Sequence, residues 1–168
     1  MRFKEMKIMR KIIGILAVLL IGMVFIGAGS AASAGYSDVT ITPATSLSPG
    51  QVVTGVFKVN LPADSISDTD TLTFSSPLEN AKWEIKVFKG EANKNSQNPA
   101  TTMTGTSKPN VPYKPSMFSI YYDDQDVTLV VTVSGTVSAS SKGFSINVIN
   151  VICSSSKVGS YTSPAQKV

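Results

Sequence analysis

The sequence predicts an all-β protein: an immunoglobulin-like antiparallel β-sandwich of about seven or eight strands, preceded by one N-terminal hydrophobic helix acting as a signal peptide. Three observations carry that expectation. Beyond residue 34, apolar residues recur at every second position, and no sustained 3.6-residue pattern appears. The alternating runs are rich in Val, Ile, Thr, Phe and Tyr, which suit a pleated, half-buried surface. Stretches rich in Ser, Pro, Asn and Gly separate them as turns do. Successive strands of this kind bury their apolar faces as two packed sheets and leave the polar faces wet. A small closed barrel is the alternative arrangement. The 168 residues suffice for one ordinary domain, and residues 35–168 are expected to form it.

The elements follow in order. Residues 37–42, SDVTIT, make a first strand, and Pro49-Gly50 is a strong turn signal before the next. In residues 51–60, QVVTGVFKVN, Val53, Phe57 and Val59 share one face. A loop with three aspartates leads to TLTFSS, residues 71–76, which sets Leu72 and Phe74 on one side. In KWEIKVFK, residues 82–89, Trp83, Ile85 and Val87 point one way, while Lys82, Glu84 and Lys86 point the other. This parity places Trp83, the single tryptophan, in the core between the sheets. Residues 90–116 read as a long loop with a short strand near 101–106, and Pro109, Pro112 and Pro115 suit a local polyproline-like segment. Strands resume at 117–122, MFSIYY, and at 126–135, where Val127, Leu129, Val131 and Val133 share a face. Residues 143–152, GFSINVINVI, direct Phe144, Ile146 and Val148 inward, and a short last strand falls near 158–161.

The first 34 residues are of a different kind. Arg2, Lys4, Lys7, Arg10 and Lys11 precede an uncharged apolar run over residues 12–28, and Ala32-Ser33-Ala34 ends it with small residues. A basic start, an apolar middle and a small-x-small site predict a secretory signal peptide cleaved after Ala34. An uncleaved membrane anchor is the alternative, because the run is near the shortest that spans a bilayer. Either way, residues 35–168 are expected outside the cytoplasm, since positive charge stays inside. Five of the 15 basic residues and one of the 11 acidic ones lie in this leader, which leaves ten of each beyond it. That balance gives no support to nucleic-acid binding, which needs a basic patch.

The absent residues narrow the chemistry. The chain has no histidine, which removes Ser-His-Asp and Cys-His catalysis and every His-containing zinc site. Its single cysteine, Cys153, closes an apolar stretch and is expected to be buried as a small hydrophobe. No Asn-x-Ser/Thr acceptor, nucleophile elbow or phosphate-cradling glycine loop is present. The chain is therefore expected to have no catalytic, cofactor or metal site. Two acidic groups offer alternatives to this. Asp123, Asp124 and Asp126 offer oxygens to a calcium ion, although their spacing departs from the EF-hand loop, and a polar hairpin explains them as well. Asp64, Asp68 and Asp70 supply the carboxylates a glycosidase uses, without any sign of a cleft. Trp83, Phe88, Tyr113, Phe118, Tyr121 and Tyr122 are the aromatic residues available to a sugar platform, and parity leaves Phe88 as the exposed one on its strand.

The segment DTLTFSSPLENAKWEIKVFKG resembles exported cell-envelope proteins of methanogenic archaea, in which a Leu-x-Asn-x-x-Trp element between two strands precedes a Gly turn. Leu78, Asn80, Trp83 and Gly90 carry the match, and FSIYYDDQDVTLVVTVSGTVS is similar to later strands of the same proteins, including Gly135 and Thr136. The resemblance spans residues 61–158 and implies a β-sandwich ectodomain of undefined biochemical role. The expectation is a non-enzymatic structural or interaction domain of the cell envelope, meeting other cell-surface proteins and touching the membrane only through its N-terminal segment. The alternatives are a filament subunit that donates residues 35–45 or 154–168 as a strand, and a carbohydrate- or calcium-binding surface module.

Overall fold

The computed structural model describes residues 34–44, 46–90, 98–107, 111–115 and 125–168. Residues 1–33 of the leader, the strand expected at 117–122, Asp123 and Asp124 lie outside the described residues. Residues Ala32–Val168 form a compact unit of their own.

Among the described residues, ten strands build it: β1 (Gly35–Thr42), β2 (Val52–Leu61), β3 (Leu72–Ser75), β4 (Glu79–Lys89), β5 (Thr101–Ser107), β6 (Val127–Thr136), β7 (Ser145–Asn147), β8 (Asn150–Cys153), β9 (Tyr161–Thr162) and β10 (Ala165–Lys167). One sheet runs β1-β2-β6-β4-β5, another β3-β8-β9, and β7 pairs with β10. Every pairing is antiparallel. The first, second, sixth and fourth strands stand side by side, opposite the third, eighth and ninth. That is the strand order of a constant-type immunoglobulin domain, with β5 added at the outer edge. The count exceeds seven or eight because the last two strands of that plan are each broken in two. Asn147 pairs with Ala165 and Asn150 with Thr162, so both ladders keep one register. Pro164, which has no N–H to donate, interrupts them. There the Ser163 N–H donates to the Ile149 carbonyl (2.9 Å), and the Ile149 N–H donates to Ser163 Oγ (3.1 Å).

The core follows the alternation. Val53, Phe57 and Val59 on β2, Trp83, Ile85 and Val87 on β4, and Leu129, Val131 and Val133 on β6 are buried, and Leu72, Phe74 and Val151 cover them from the second sheet. Phe74 bridges the layers, 6.1 Å from Phe57 and 5.7 Å from Trp83 between ring centroids. Gly55 sits beneath Ile149, where a Cβ would come within 2.9 Å of Ile149 Cδ1. Cys153 is buried with its thiol free.

One inward assignment needs correction. Phe144 is 66% exposed and Ile146 is only half-buried, while Val148 is buried as expected. The alternation changes phase where the ladder is interrupted, because both Val148 and Ile149 turn inward. From there Ile149, Val151 and Cys153 face the core, and Ile152 faces out.

The segment expected to be a long loop is also more structured than its composition suggested. β5 pairs with β4 along its whole length, from Ala81 opposite Ser107 to Val87 opposite Thr101. Farther on, Tyr113 exchanges two backbone hydrogen bonds with Phe74, at 2.7 and 3.0 Å. Its ring lies parallel to Trp83, 6.2 Å away and inclined by 10°. It also covers Gly105, where a Cβ would meet Tyr113 Cε2 at 2.0 Å.

Candidate functional site

One end of the sandwich carries the richest set of polar side chains. The loop over residues 62–71 joins β2 to β3, and the loop over residues 154–160 joins β8 to β9. The same end receives the close of β4 and the start of β6, where the Gly90 N–H donates to the Asp126 carbonyl at 2.8 Å. In immunoglobulin-like domains such end loops are held by the sheets yet free to vary, which suits them to recognition.

Short polar residues build both loops. The first opens with a turn in which the Ser65 N–H donates to the Pro62 carbonyl at 3.0 Å and Asp64 takes a left-handed φ of 59°. Aspartate tolerates that conformation better than most residues. A second turn closes on Asp70, whose carboxylate accepts the Ser67 N–H (2.8 Å), the Ser67 hydroxyl (2.9 Å) and the Ser154 hydroxyl (2.6 Å). Those three donors, Ser154 first, hold the Asp70 carboxyl below its ordinary pKa. Ser154 Oγ in turn accepts the Thr71 N–H at 2.9 Å. The second loop turns at Gly159, whose φ of 74° favours glycine and whose N–H donates to the Ser155 carbonyl at 2.9 Å. The Ser155 hydroxyl donates to the Ser65 carbonyl at 2.5 Å, and Lys157 Nζ donates to the Asp64 carbonyl at 2.7 Å. Tyr36 fastens this loop to β1, because its hydroxyl donates to the Gly159 carbonyl at 2.9 Å and its ring stacks on Tyr161 at 5.1 Å. Burial pushes the Tyr36 phenol well above its ordinary pKa, and the neighbouring Cys153 adds to the shift.

Between the loops lies an open cleft of about 540 Å³, walled by Asp64, Ser65, Ser67 and Asp70 on one side and by Ser156 and Lys157 on the other. A smaller hollow of about 100 Å³ shares Asp70 and extends to Lys114 and Pro115. Among the described residues, Ser65 Oγ is the one buried side-chain polar atom without a hydrogen-bond partner. The cleft therefore presents hydroxyls, carboxylate oxygens and one ammonium on a scaffold fixed by hydrogen bonds.

The residues singled out from sequence fall into place unevenly. Asp64, Asp68 and Asp70 share the first loop. Asp70 is occupied in holding it, Asp64 contributes its backbone carbonyl, and Asp68 is exposed. Asp126 uses Oδ1 to accept the Ala63 N–H at 3.0 Å, which secures the start of the same loop. Among the described residues, no group of three or more acidic or sulfur ligands is placed to hold a metal ion. Trp83 is 2% exposed, and its indole N–H donates to the buried Ser107 hydroxyl at 3.0 Å. Tyr113 packs on Trp83 and so is held in the sandwich, and Phe88 is half-buried on the outer face of β4. Phe118, Tyr121 and Tyr122 lie outside the described residues. The serines of the second loop carried no signal beyond their run, Ser154-Ser155-Ser156, directly after a buried strand.

No protein-family model matches the chain, and comparison with curated proteins and with solved structures finds no match.

Proposed function

We propose that the chain is a non-enzymatic, exported domain of the cell envelope, a structural and interaction module that meets another cell-surface protein through the cleft between residues 62–71 and 154–160. The observation that carries this reading is the double use of polar groups there. Asp70, Ser67, Ser154 and Ser155 bond to one another or to backbone, fixing both walls, while the side chains of Ser156 and Asp64 stay exposed at the rim. A preorganised polar rim reduces the ordering cost of recognition. The same groups suit catalysis poorly. The two hydroxyls that donate to a carboxylate in the cleft, those of Ser154 and Ser67 on Asp70, face an acid of depressed pKa, which is a weak proton acceptor. Export is supported by the leader's composition, and the envelope assignment by the resemblance carried by Leu78, Asn80, Trp83 and Gly90. The filament reading is less favoured, because its candidate donors, residues 35–45 and 154–168, already contribute β1, β9 and β10 to their own sandwich.

A photo-cross-linking amino acid at Ser156, in cells that make the protein, is expected to capture one discrete envelope protein. The same group at Ser140, on the short 3-10 turn at the opposite end, is expected to capture none. Equal capture at both positions, or none at either, would refute the cleft as the contact surface.

A further inference from the structure

Unpaired sheet edges invite other strands, and stable β-proteins usually blunt or cover them. Among the described residues, this sandwich does so at every edge but one. The β1 edge is broken by a register shift between Ser37 and Thr40, where Asp38 takes a φ of 51° and pairs with Lys58 at 2.7 Å. Beside β3, Tyr113 takes up the free backbone groups of Phe74. At β10, the Lys167 carbonyl accepts the Leu47 N–H at 2.7 Å. The other edges of the smaller sheets are very short, β7 three residues long and β9 two.

β5 is different. It is seven residues long, TTMTGTS, with no proline, no charge and no register shift against β4. Which of its backbone groups point outward follows from its neighbours. The Gly90 N–H donates to Asp126 in line with the pairing of Lys89 and Val127. Even-numbered residues of β4 therefore turn their polar groups toward β6, and odd-numbered ones toward β5. The odd-numbered residues of β5 meet those, which leaves Thr102, Thr104 and Thr106 directing N–H and C=O to the open side. Their side chains are exposed on the outer face.

We propose that β5 is a strand-addition edge whose occupant is β5 of a second copy of this chain, antiparallel about a two-fold axis through Thr104. The argument is self-complementarity. The pattern Thr-x-Thr-x-Thr reads the same in both directions from Thr104. Thr104 then meets the partner's Thr104, and Thr102 meets the partner's Thr106. Each of these pairs brings together outward-facing backbone groups, giving about six hydrogen bonds, and threonine opposite threonine is a favourable cross-strand pair. On the inner face, Met103 meets the partner's Gly105 and the edge of the Tyr113 ring that covers it, an apolar contact. No charged side chain on β5 opposes the approach. The product is one continuous sheet built from two five-stranded halves. This surface is separate from the loop cleft, and the proposal stands without it.

The test uses the full chain in detergent with single cysteines introduced along β5. The native Cys153 is buried and does not compete. Across the proposed axis, Cα atoms at position 104 lie about 5.5 Å apart, within disulfide reach. Those at position 102 lie about 14 Å apart, since four residues along the strand separate them. Mild oxidation is expected to give a disulfide dimer from Thr104→Cys, none from Thr102→Cys alone, and a mixed dimer when Thr102→Cys and Thr106→Cys chains are combined. Thr104→Pro removes an outward N–H without touching the β4 ladder and is expected to halve the mass measured by light scattering. Thr104→Lys is expected to do the same by setting charge against charge on the axis. Equal cross-linking at 102 and 104, no cross-linking at 104, an unchanged mass in both variants, or capture of a different protein's strand in place of a second copy would overturn the proposal.

Discussion

Replacing Trp83 by alanine tests the architecture most directly. The indole is 2% exposed, contacts Phe74 across the sheets at 5.7 Å, carries the Tyr113 ring at 6.2 Å and bonds to Ser107. Truncating a large buried aromatic to alanine costs about 3–5 kcal/mol. The orphaned Ser107 hydroxyl and the unsupported Tyr113 ring place this site toward the upper part of that range, since losing a buried partner adds about 1–3 kcal/mol. Against a typical total of about 5–15 kcal/mol, the variant is expected to lose a third or more of its stability. Urea titration followed by far-UV circular dichroism measures this without relying on the lost fluorophore. The Ser107→Ala and Trp83→Phe single variants and their double variant complete a cycle that isolates the hydrogen bond, with an expected coupling of about 1 kcal/mol. A loss below about 1 kcal/mol for Trp83→Ala would refute the core assignment. So would full quenching of the Trp83 fluorescence by acrylamide in the folded wild type.

The two remaining predictions concern β5 and the cleft. Gly105→Ala forces Tyr113 off the sheet, because the new Cβ would lie 2.0 Å from its ring. The expected cost is about 1–3 kcal/mol by urea titration, and it should largely disappear in a Tyr113→Ala background. Asp70 has its pKa lowered by hydrogen bonds in the fold, so its contribution is complete above the unfolded value near about 3.9 and fades as pH falls through the lower folded value. The melting-temperature difference between wild type and Asp70→Asn should therefore be constant above about pH 5 and shrink toward pH 2. A difference that persists at pH 2 would show that the ionised carboxylate is not what holds the loop.

The parts of this fold that were legible in sequence are those with strict period-two burial. On β2, β4 and β6 the inward residues are apolar or glycine and most of their neighbours are polar, with exceptions such as Val56, Phe88 and Val130, so Phe57, Trp83 and Val131 could be placed from parity alone. β5 was only partly legible, because its outer face is threonine and its inner face holds Met103 and Gly105, a weak contrast. Phe144 misled because a regular alternation was extended through a ladder that Pro164 interrupts. Tyr113 was unreadable as a packing residue, since a single backbone bridge in a proline-rich segment has no period. The cleft was hidden for another reason: Ser155 meets Ser65 across 90 positions, and Ser154 meets Asp70 across 84. Contacts of that range leave no local mark on serine and aspartate, which also occur in any surface loop.

The central place of β6 has a consequence for the order in which the domain assembles. Val131 on β6 lies between Phe57 on β2 and Ile85 on β4. Until β6 is available, the first sheet can exist only as two separate pairs of strands, β1 with β2 and β4 with β5. Neither pair alone buries its apolar face, and paired strands without further support are marginal in water. A chain delivered from its N-terminus must therefore hold Phe57, Trp83 and Ile85 uncovered until residue 136 has emerged, and the late arrival of one strand then joins both halves at once. Long-range closure of this kind is the slow, aggregation-exposed step in β-protein folding. The time between the appearance of β2 and that of β6 is when this chain most needs to be kept from its own kind.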